Sequence, residues 1–226
     1  MKNYFFAIIV SALSLAYGGD YGISLRDAGN AMKEKNYAVA EAKYGEAIVA
    51  AKDSKQKCDA VLGKYKAMRR QGKQKIKESE SFVTEALEDE MLKSPEVRFI
   101  LNAVAYDFLW TPRFEYSLEL LKQAQAVPCP ESSNTYFRTY FYMAHAFNRK
   151  KQIEAAIEAL DTVFAAKGVH PSNLFDAHFF SGQLHEKLGK KDDALKHYKK
   201  SLEAGKRVKF KIDLSRAEKA IERLTK

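Results

Sequence analysis

Three histidines near the C-terminal end are the residues best suited to chemistry, because imidazole binds metals and transfers protons near neutral pH. His178 and His185 are seven residues apart, and His197 follows in the next predicted helix. A zinc site needs three or four convergent ligands, and the close His or Cys spacings typical of such sites are absent from this sequence. There is also no Gly-rich phosphate loop, Gly-x-Ser-x-Gly elbow or His-Glu-x-x-His motif. The sequence therefore predicts a non-enzymatic protein without metal or cofactor, in which histidines fill packing positions.

The first eighteen residues form a separate segment that predicts export. A short basic start is followed by an uncharged, mostly apolar run over residues 4–17, and Ala16-Tyr17-Gly18 has the small-x-small pattern of a signal peptidase site. The run is shorter than the ~20 residues of a spanning helix, so a retained anchor is the less favoured alternative. We expect a signal peptide over residues 1–18, cleaved near Gly18, and a periplasmic or secreted protein. Export argues against a nucleic-acid partner, although the formal net charge is +9.

Small residues recur every 38 or 39 positions along the rest of the chain. In the stretch SGQLHEKLGKKDDALKHYKKSLEAG (residues 181–205), Gly182 lies in one predicted helix, Gly189 in a turn and Ala194 in a second helix. The residues that correspond to Gly182 are Ala144, Ala105, Ala67 and Ala28, and those that correspond to Ala194 are Ala156, Ser117, Ser79 and Ala40. Small residues at these places let two antiparallel helices approach closely. The pattern therefore predicts five consecutive helical hairpins.

These units resemble the tetratricopeptide repeat (TPR) family, most clearly in residues 28–48 and 181–202, although the family's usual period is 34 residues. The resemblance implies an all-α, right-handed TPR-like solenoid over residues 19–226, with five repeats of about 21–57, 58–93, 94–131, 132–170 and 171–208. A stripe of apolar residues predicts a capping helix over residues 213–226: Leu214, Ala217, Ala220, Ile221 and Leu224. A generic helical bundle with Ala-rich faces is the alternative.

Proline and glycine positions predict where several helices begin and end. Ser94-Pro95 and Thr111-Pro112 are typical of helix N-termini, and Pro171 is expected to open another helix. Four glycines are expected at helix ends: Gly72, Gly168, Gly189 and Gly205.

The two cysteines, Cys58 and Cys129, are predicted to be free thiols. In the repeat register Cys58 precedes the first helix of the second unit, and Cys129 precedes that of the fourth. Stacked helices are roughly 8–10 Å apart, which would separate the two residues by about 20 Å. A disulfide requires Cα atoms within about 7 Å.

Charge is unevenly distributed in two parts of the chain. Residues 60–77 carry seven Lys and Arg side chains and no acid, whereas residues 78–96 carry seven acids and one Lys. Residues 190–211 carry nine Lys and Arg side chains and three acids. Either basic stretch could meet anionic envelope polymers or lipid headgroups, and a solvated face is the alternative interpretation.

In the TPR family, first-helix side chains line a concave inner surface, and the resemblance carries that role to twelve residues of this chain. The expected groove residues are Lys64, Met68, Phe99, Asn102, Tyr106, Trp110, Arg138, Phe141, His145, Asn148, Phe179 and Gln183. Aromatic side chains with Arg and Asn are typical of peptide-binding surfaces. They do not reproduce the family's Lys/Asn/Arg clamp for a terminal carboxylate.

The favoured hypothesis is a non-enzymatic interaction module or scaffold of the bacterial cell envelope that holds a peptide or protein partner in this groove. The alternative is a basic surface protein that binds anionic envelope polymer or lipid headgroups. Steep salt dependence without peptide selectivity would favour the alternative.

Overall fold

The computed structural model describes residues 20–226, in which eleven α-helices and no strand occur. The predicted signal peptide, residues 1–18, lies outside the described residues. The chain divides into two compact units, one ending at Val97 and one comprising Arg98–Lys226. The all-α class is therefore confirmed.

Over its described residues, 20–97, the first unit has four helices and the first turn of a fifth. They are α1 (Tyr21–Lys33), α2 (Tyr37–Ala50), α3 (Ser54–Arg70), α4 (Lys75–Leu87) and the start of α5 (Ser94–Leu109). Asp20 caps α1 by accepting from the backbone N–H of Gly22, and Asp53 caps α3 by accepting from that of Gln56 at 2.8 Å. The Tyr44 ring lies where a Cβ on Gly63 would be, so only glycine permits this close approach of α2 and α3.

The second unit contains the rest of α5 and six further helices. They are α6 (Phe114–Ala126), α7 (Asn134–Arg149), α8 (Ile153–Ala165), α9 (Pro171–Lys187), α10 (Lys191–Lys206) and α11 (Ser215–Thr225). The predicted small residues are buried in each hairpin, among them Ala105, Ala144 and Gly182. The ring of Tyr198 would lie 2.7 Å from a Cβ on Gly182, which explains why α10 can pack so closely on α9.

Three hairpin turns share one backbone conformation. Gly189 has a φ of 70°, and Lys35 and Lys151 have φ values of 60° and 61°. In each turn the next N–H bonds to a carbonyl five residues earlier, as when Lys190 donates to His185 at 2.9 Å. This is the Schellman arrangement that ends a helix with a left-handed residue.

The C-terminal helix α11 packs as the apolar stripe predicted. Ala217 lies with Phe175 and Ala204 in one buried cluster, and Ala220 lies with Ala194 and Tyr198 in another. The helix thus covers apolar side chains of α9 and α10 that would otherwise face solvent.

Three predicted helix boundaries need correction. Cys58 lies inside α3 and is buried, because α3 begins four residues earlier at Ser54. Gly205 lies inside α10, where a Cβ would clash with Leu214 and Phe175, so its small size serves packing and not a turn. Ser94 is the first residue of α5 and not the cap before it. A fourth boundary also differs, because α6 begins at Phe114 with Arg113 before it, two residues beyond the predicted start at Pro112. The start of α9 at Pro171 and the positive φ values of Gly72, Gly168 and Gly189 agree with prediction.

Candidate functional site

An aromatic cluster lies on helices α5, α7 and α9 of the second unit and on Trp110, the first residue after α5. It consists of Tyr106, Trp110, Phe141, Tyr142, His145 and Phe180. The Tyr106 and Tyr142 ring centroids are 5.1 Å apart, and those of Trp110 and His145 are 5.2 Å apart in an edge-on arrangement. These distances and angles are typical of attractive aromatic pairs. Rings of α7 therefore support both Tyr106 on α5 and Trp110 just beyond its end.

Two members of the aromatic cluster are strongly exposed. The accessible fraction is 58% for Trp110 and 47% for Tyr106, whereas Phe180 is buried. Large aromatic side chains that a folded protein leaves exposed next to one another commonly mark a binding surface. A partner that covered them would gain apolar contact without first having to order the rings.

His145 lies at the centre of the aromatic cluster. Its ring stacks on Phe180 at 3.9 Å and meets Phe141 edge-on at 4.7 Å. Burial, aided by the positive charge of Lys187, lowers the pKa of His145 to about 4. The imidazole is therefore neutral near pH 7 and acts as a flat packing ring.

Cationic side chains border the aromatic cluster. Lys187 donates a hydrogen bond to the Asn148 side chain at 2.7 Å. Arg138 lies near Tyr142. Burial raises the pKa of Tyr142, and the positive charge of Arg138 opposes that rise. Arg149 donates to the backbone carbonyl of Leu109, at the end of α5. The border of the cluster thus favours a partner that carries carboxylates or carbonyl oxygens.

A buried polar network links the bases of α5 and α7. Asn102 donates to the Thr135 carbonyl at 2.9 Å and to the Thr139 hydroxyl at 3.0 Å. Arg98 donates to the same hydroxyl and to the Val127 carbonyl, each at 2.9 Å. The network holds α5 and α7 in register and so positions the rings farther along both helices.

Three of the predicted groove residues are placed elsewhere by the structure. Asn102 is 1% exposed and belongs to the network, and Met68 is buried in α3. Phe179 faces α10 and α11, because its ring lies 5.4 Å from that of Tyr198 and beneath the guanidinium of Arg216. These positions correct the assignment of the three residues to a partner-facing surface.

Phe180 and Tyr142 are members of the aromatic cluster that sequence reasoning missed. In the repeat register that aligns Ala144 with Gly182, a step of 38 residues, Phe141 corresponds to Phe179 and Tyr142 corresponds to Phe180. One residue along a helix rotates the side chain by about 100°, which moves it to another face. The register therefore pairs the two missed residues with each other, and a shift of one position would have selected both.

The remaining predicted residues have simpler surroundings. Phe99 is half-buried in α5, and Gln183 is exposed on α9. Lys64, in the first unit, is half-buried with its ammonium 4.6 Å from the centre of the Phe82 ring.

His178, His185 and His197 form a packed group. The Nδ1 atoms of His178 and His197 are 3.2 Å apart, Phe164 stacks on His178 at 4.0 Å, and the His185 and His197 rings are 5.1 Å apart. Within residues 20–226, no group of three or more His, Cys, Asp or Glu side chains is arranged to hold a metal ion. No helix in the same range is long and apolar enough to cross a membrane.

Comparison with known proteins identifies the fold. No model of a known protein family matches the sequence, and no curated protein matches it. Among solved structures, MamA (residues 41 to the end) from Desulfovibrio magneticus RS-1 has a TM-score of 0.58 at 14% identity, over 85% of this chain and 99% of that one. BtubC (BKLC) from P. vanneervenii has a TM-score of 0.56 at 14% identity, over 91% and 88%. Cut9, from the APC/C hetero-tetramer Cut9-Hcn1, has a TM-score of 0.56 at 13% identity, over 88% and 35%.

These neighbours are TPR-like helical repeat proteins, so the predicted TPR-like solenoid fold is confirmed for this chain.

Proposed function

We propose that this chain is a non-enzymatic interaction scaffold that binds a peptide or protein segment across the aromatic cluster. The observation that carries the proposal is the adjacent exposure of Tyr106 and Trp110, each supported by a ring of α7. Flat, rigid rings offer a large contact area with little loss of side-chain entropy.

The chemistry of the border supports a segment with acidic side chains. Lys187 and Arg138 carry positive charge beside the rings, and Asn148 orients the Lys187 ammonium. An extended acidic segment could place apolar side chains on Tyr106 and Trp110 and carboxylates beside the cations. The fold agrees with this role, because stacked helical repeats expose extended binding surfaces.

The proposed location is the bacterial cell envelope. It rests on the signal-peptide pattern of residues 1–18 and on the predicted removal of that segment. Cell fractionation with N-terminal sequencing of the mature chain tests it. A mature chain that starts at Met1 and remains in the cytosolic fraction would contradict it.

Site-specific photo-crosslinking tests the binding surface directly. A photoreactive phenylalanine analogue at position 106 should capture a discrete partner from envelope extract, because that side chain is 47% exposed within the aromatic cluster. The matched control carries the analogue at Lys122, an exposed position of α6 outside the cluster. Equal capture at both positions, or capture at Lys122 alone, would contradict the proposal.

A further inference from the structure

The loop between α10 and α11 combines positive charge with an exposed ring. Lys206, Arg207, Lys209 and Lys211 are exposed, and Phe210 is 59% exposed. Phe210 thus has exposed cations on both sides, Arg207 and Lys209 before it and Lys211 after it. The helical core does not account for this ring.

Both ends of the loop are held by the fold. Val208 donates its backbone N–H to the Gly205 carbonyl at 3.1 Å, at the end of α10. On the other side, Ile212 and Leu214 pack against the buried cluster that contains Phe175. The Phe210 ring lies parallel to the ring of His170, with the centroids 6.2 Å apart. The segment between these anchors therefore presents Phe210 from fixed ends.

In the part of the chain that the structure describes, no ion pair holds the cations of this region. Within residues 20–226, none of the nine Lys and Arg side chains of residues 190–211 forms an ion pair. Nearby cations of α11 behave differently, because Arg216 pairs with Asp176 and Arg223 pairs with Glu186 at 2.7 Å. The charge of α10 and the loop thus remains available to an external anion.

On α10 the unpaired lysines share one exposed face. Lys196, Lys199 and Lys200 border a shallow depression together with Asp192 and Glu203, and the same helical face continues toward the loop. Net positive charge along this face extends the attraction beyond the loop itself.

We propose that residues 206–211 dock the protein on an anionic lipid bilayer, with Phe210 entering the boundary between headgroups and acyl chains. Cations near a membrane surface are attracted by anionic headgroups, and an apolar side chain gains further by leaving water. A soluble polyanion would use the cations but would give Phe210 no apolar environment. The exposed ring therefore favours lipid over polymer. This contact is separate from the aromatic cluster, so either proposal can fail alone.

A fluorescent probe at position 210 tests the insertion in the full chain. The variant Phe210→Trp in a Trp110→Phe background carries its only tryptophan in the loop. Vesicles of phosphatidylcholine with phosphatidylglycerol should shift its emission to shorter wavelength, and brominated acyl chains should quench it. Pure phosphatidylcholine should do neither. An unchanged emission with anionic vesicles would overturn the proposal.

Charge removal in the loop supplies the second measurement. Lys209→Gln with Lys211→Gln should lower the ratio of docked to undocked loop about 25-fold at a fixed anionic lipid fraction, about fivefold per cation. The control is Lys52→Gln with Lys55→Gln, which removes the same charge at exposed positions of the first unit. An equal loss of vesicle binding in the two double variants would mean that only the net charge of the protein matters. That result would overturn the assignment of membrane docking to the loop.

A soluble polyanion separates the two sources of anionic charge. Polyphosphate should displace the loop from vesicles only at high concentration, and it should leave the emission of the Phe210→Trp probe unshifted. If polyphosphate binds as tightly as anionic vesicles, and Phe210→Ser leaves vesicle binding intact, the surface is a polyanion site and bilayer docking is wrong. The substitutions are at exposed positions, so circular dichroism should show unchanged helix content.

Discussion

At Lys151 the backbone adopts a left-handed conformation, with a φ of 61°, that disfavours a residue with a Cβ. Gly189 occupies the same turn position one hairpin later, with a φ of 70°. We expect Lys151→Gly to raise the free energy of unfolding by about 0.5 kcal/mol, since relief of the backbone cost exceeds the added chain entropy of glycine.

Urea unfolding of Lys151→Gly measures this gain, and Gly189→Ala is its counterpart. A Cβ on Gly189 meets nothing within 4 Å, so any loss of stability at that position reflects the backbone alone. A destabilised Lys151→Gly would mean that the lysine side chain contributes more than its backbone conformation costs.

The two thiols should react at different rates, although both are free as predicted. Burial raises the pKa of Cys58 to about 12, so almost no thiolate forms at pH 8. Cys129 is only partly buried. In the folded protein we expect alkylation of Cys58 to be at least about a hundredfold slower than that of Cys129.

Intact mass spectrometry over an alkylation time course gives both rates. After denaturation, two cysteines per chain should react without prior reduction. A mass that corresponds to a protected pair would show a Cys58–Cys129 disulfide and contradict the structure.

The buried histidines should make stability fall in acid. Burial lowers the pKa of His178 and His197 to about 4, and positive charge from Lys200 acts in the same direction on both. The charge of His197 adds to the effect on His178, and that of His185 adds to the effect on His197. Because their folded pKa values lie below the unfolded value of 6.5, the unfolded state binds more protons between these limits. Stability is therefore fully present above about pH 6.5 and is lost as the pH falls toward about 4.

Thermal melts of the wild type and of His178→Phe between pH 7.5 and 5 check this direction. The charged and titratable groups that act on the pair are His185 on α9 and Asp193, Lys196 and Lys200 on α10, while Asp161 on α8 acts on His185. We expect the decrease in Tm to be smaller in the variant, since one group that must be protonated on unfolding is removed. An equal decrease would show that His178 does not contribute to the acid sensitivity.

At the scale of the helix, the close approach of two neighbouring helices depends on small residues. The surrounding side chains leave no room for a larger residue at these positions. Ala144 in α7 is 0% exposed. We expect Ala144→Leu to lower the free energy of unfolding by about 1–3 kcal/mol, because the added atoms must push neighbouring helices apart. Thermal melts should show a decrease of roughly 2–4 °C per kcal/mol.

The control for this substitution is Lys199→Leu, which enlarges the apolar surface at an exposed position of α10. It should leave Tm nearly unchanged. Equal melting temperatures for the two variants would contradict the repeat register.

For the whole molecule, partner binding should depend on the exposed rings of the aromatic cluster. Tyr106→Ala or Trp110→Ala should weaken binding of the crosslinked partner at least about tenfold, or about 1.4 kcal/mol, while the Tm stays close to that of the wild type. Isothermal titration with the identified segment measures the loss. Phe141→Ala is a poorer test, because its ring packs on Phe137, His145 and Phe180 and its removal should also destabilise the fold.

The alternative hypothesis makes a different prediction for the same titration. If a basic surface governs binding, charge reversal at Lys64, Arg69 and Arg70 should abolish it, whereas Tyr106→Ala and Trp110→Ala should leave it intact. That combination of results would show that the partner binds the basic surface and not the aromatic cluster.

The sequence by itself determined the helical hairpins, their order and the final apolar stripe. These features follow from local sequence information. The small residues Gly182 and Ala144 allow a neighbouring helix to pack closely, and Pro171 favours the start of a helix independently of distant parts of the chain. It also located the middle of the array as its most aromatic part, which includes Tyr106 and Trp110.

Only the tertiary structure decided which of those rings face outward. The sequence contains Phe179 and Phe180 side by side, and the packing of α11 covers the first while α7 receives the second. Asn102 is of a residue type that is common at binding surfaces. Its side chain is nevertheless in the interior, where it donates hydrogen bonds to the Thr139 hydroxyl and the Thr135 carbonyl. Side-chain orientation depends on rotations of about 100° per residue and on partners more than thirty positions away, and neither a repeat period nor a residue type specifies these.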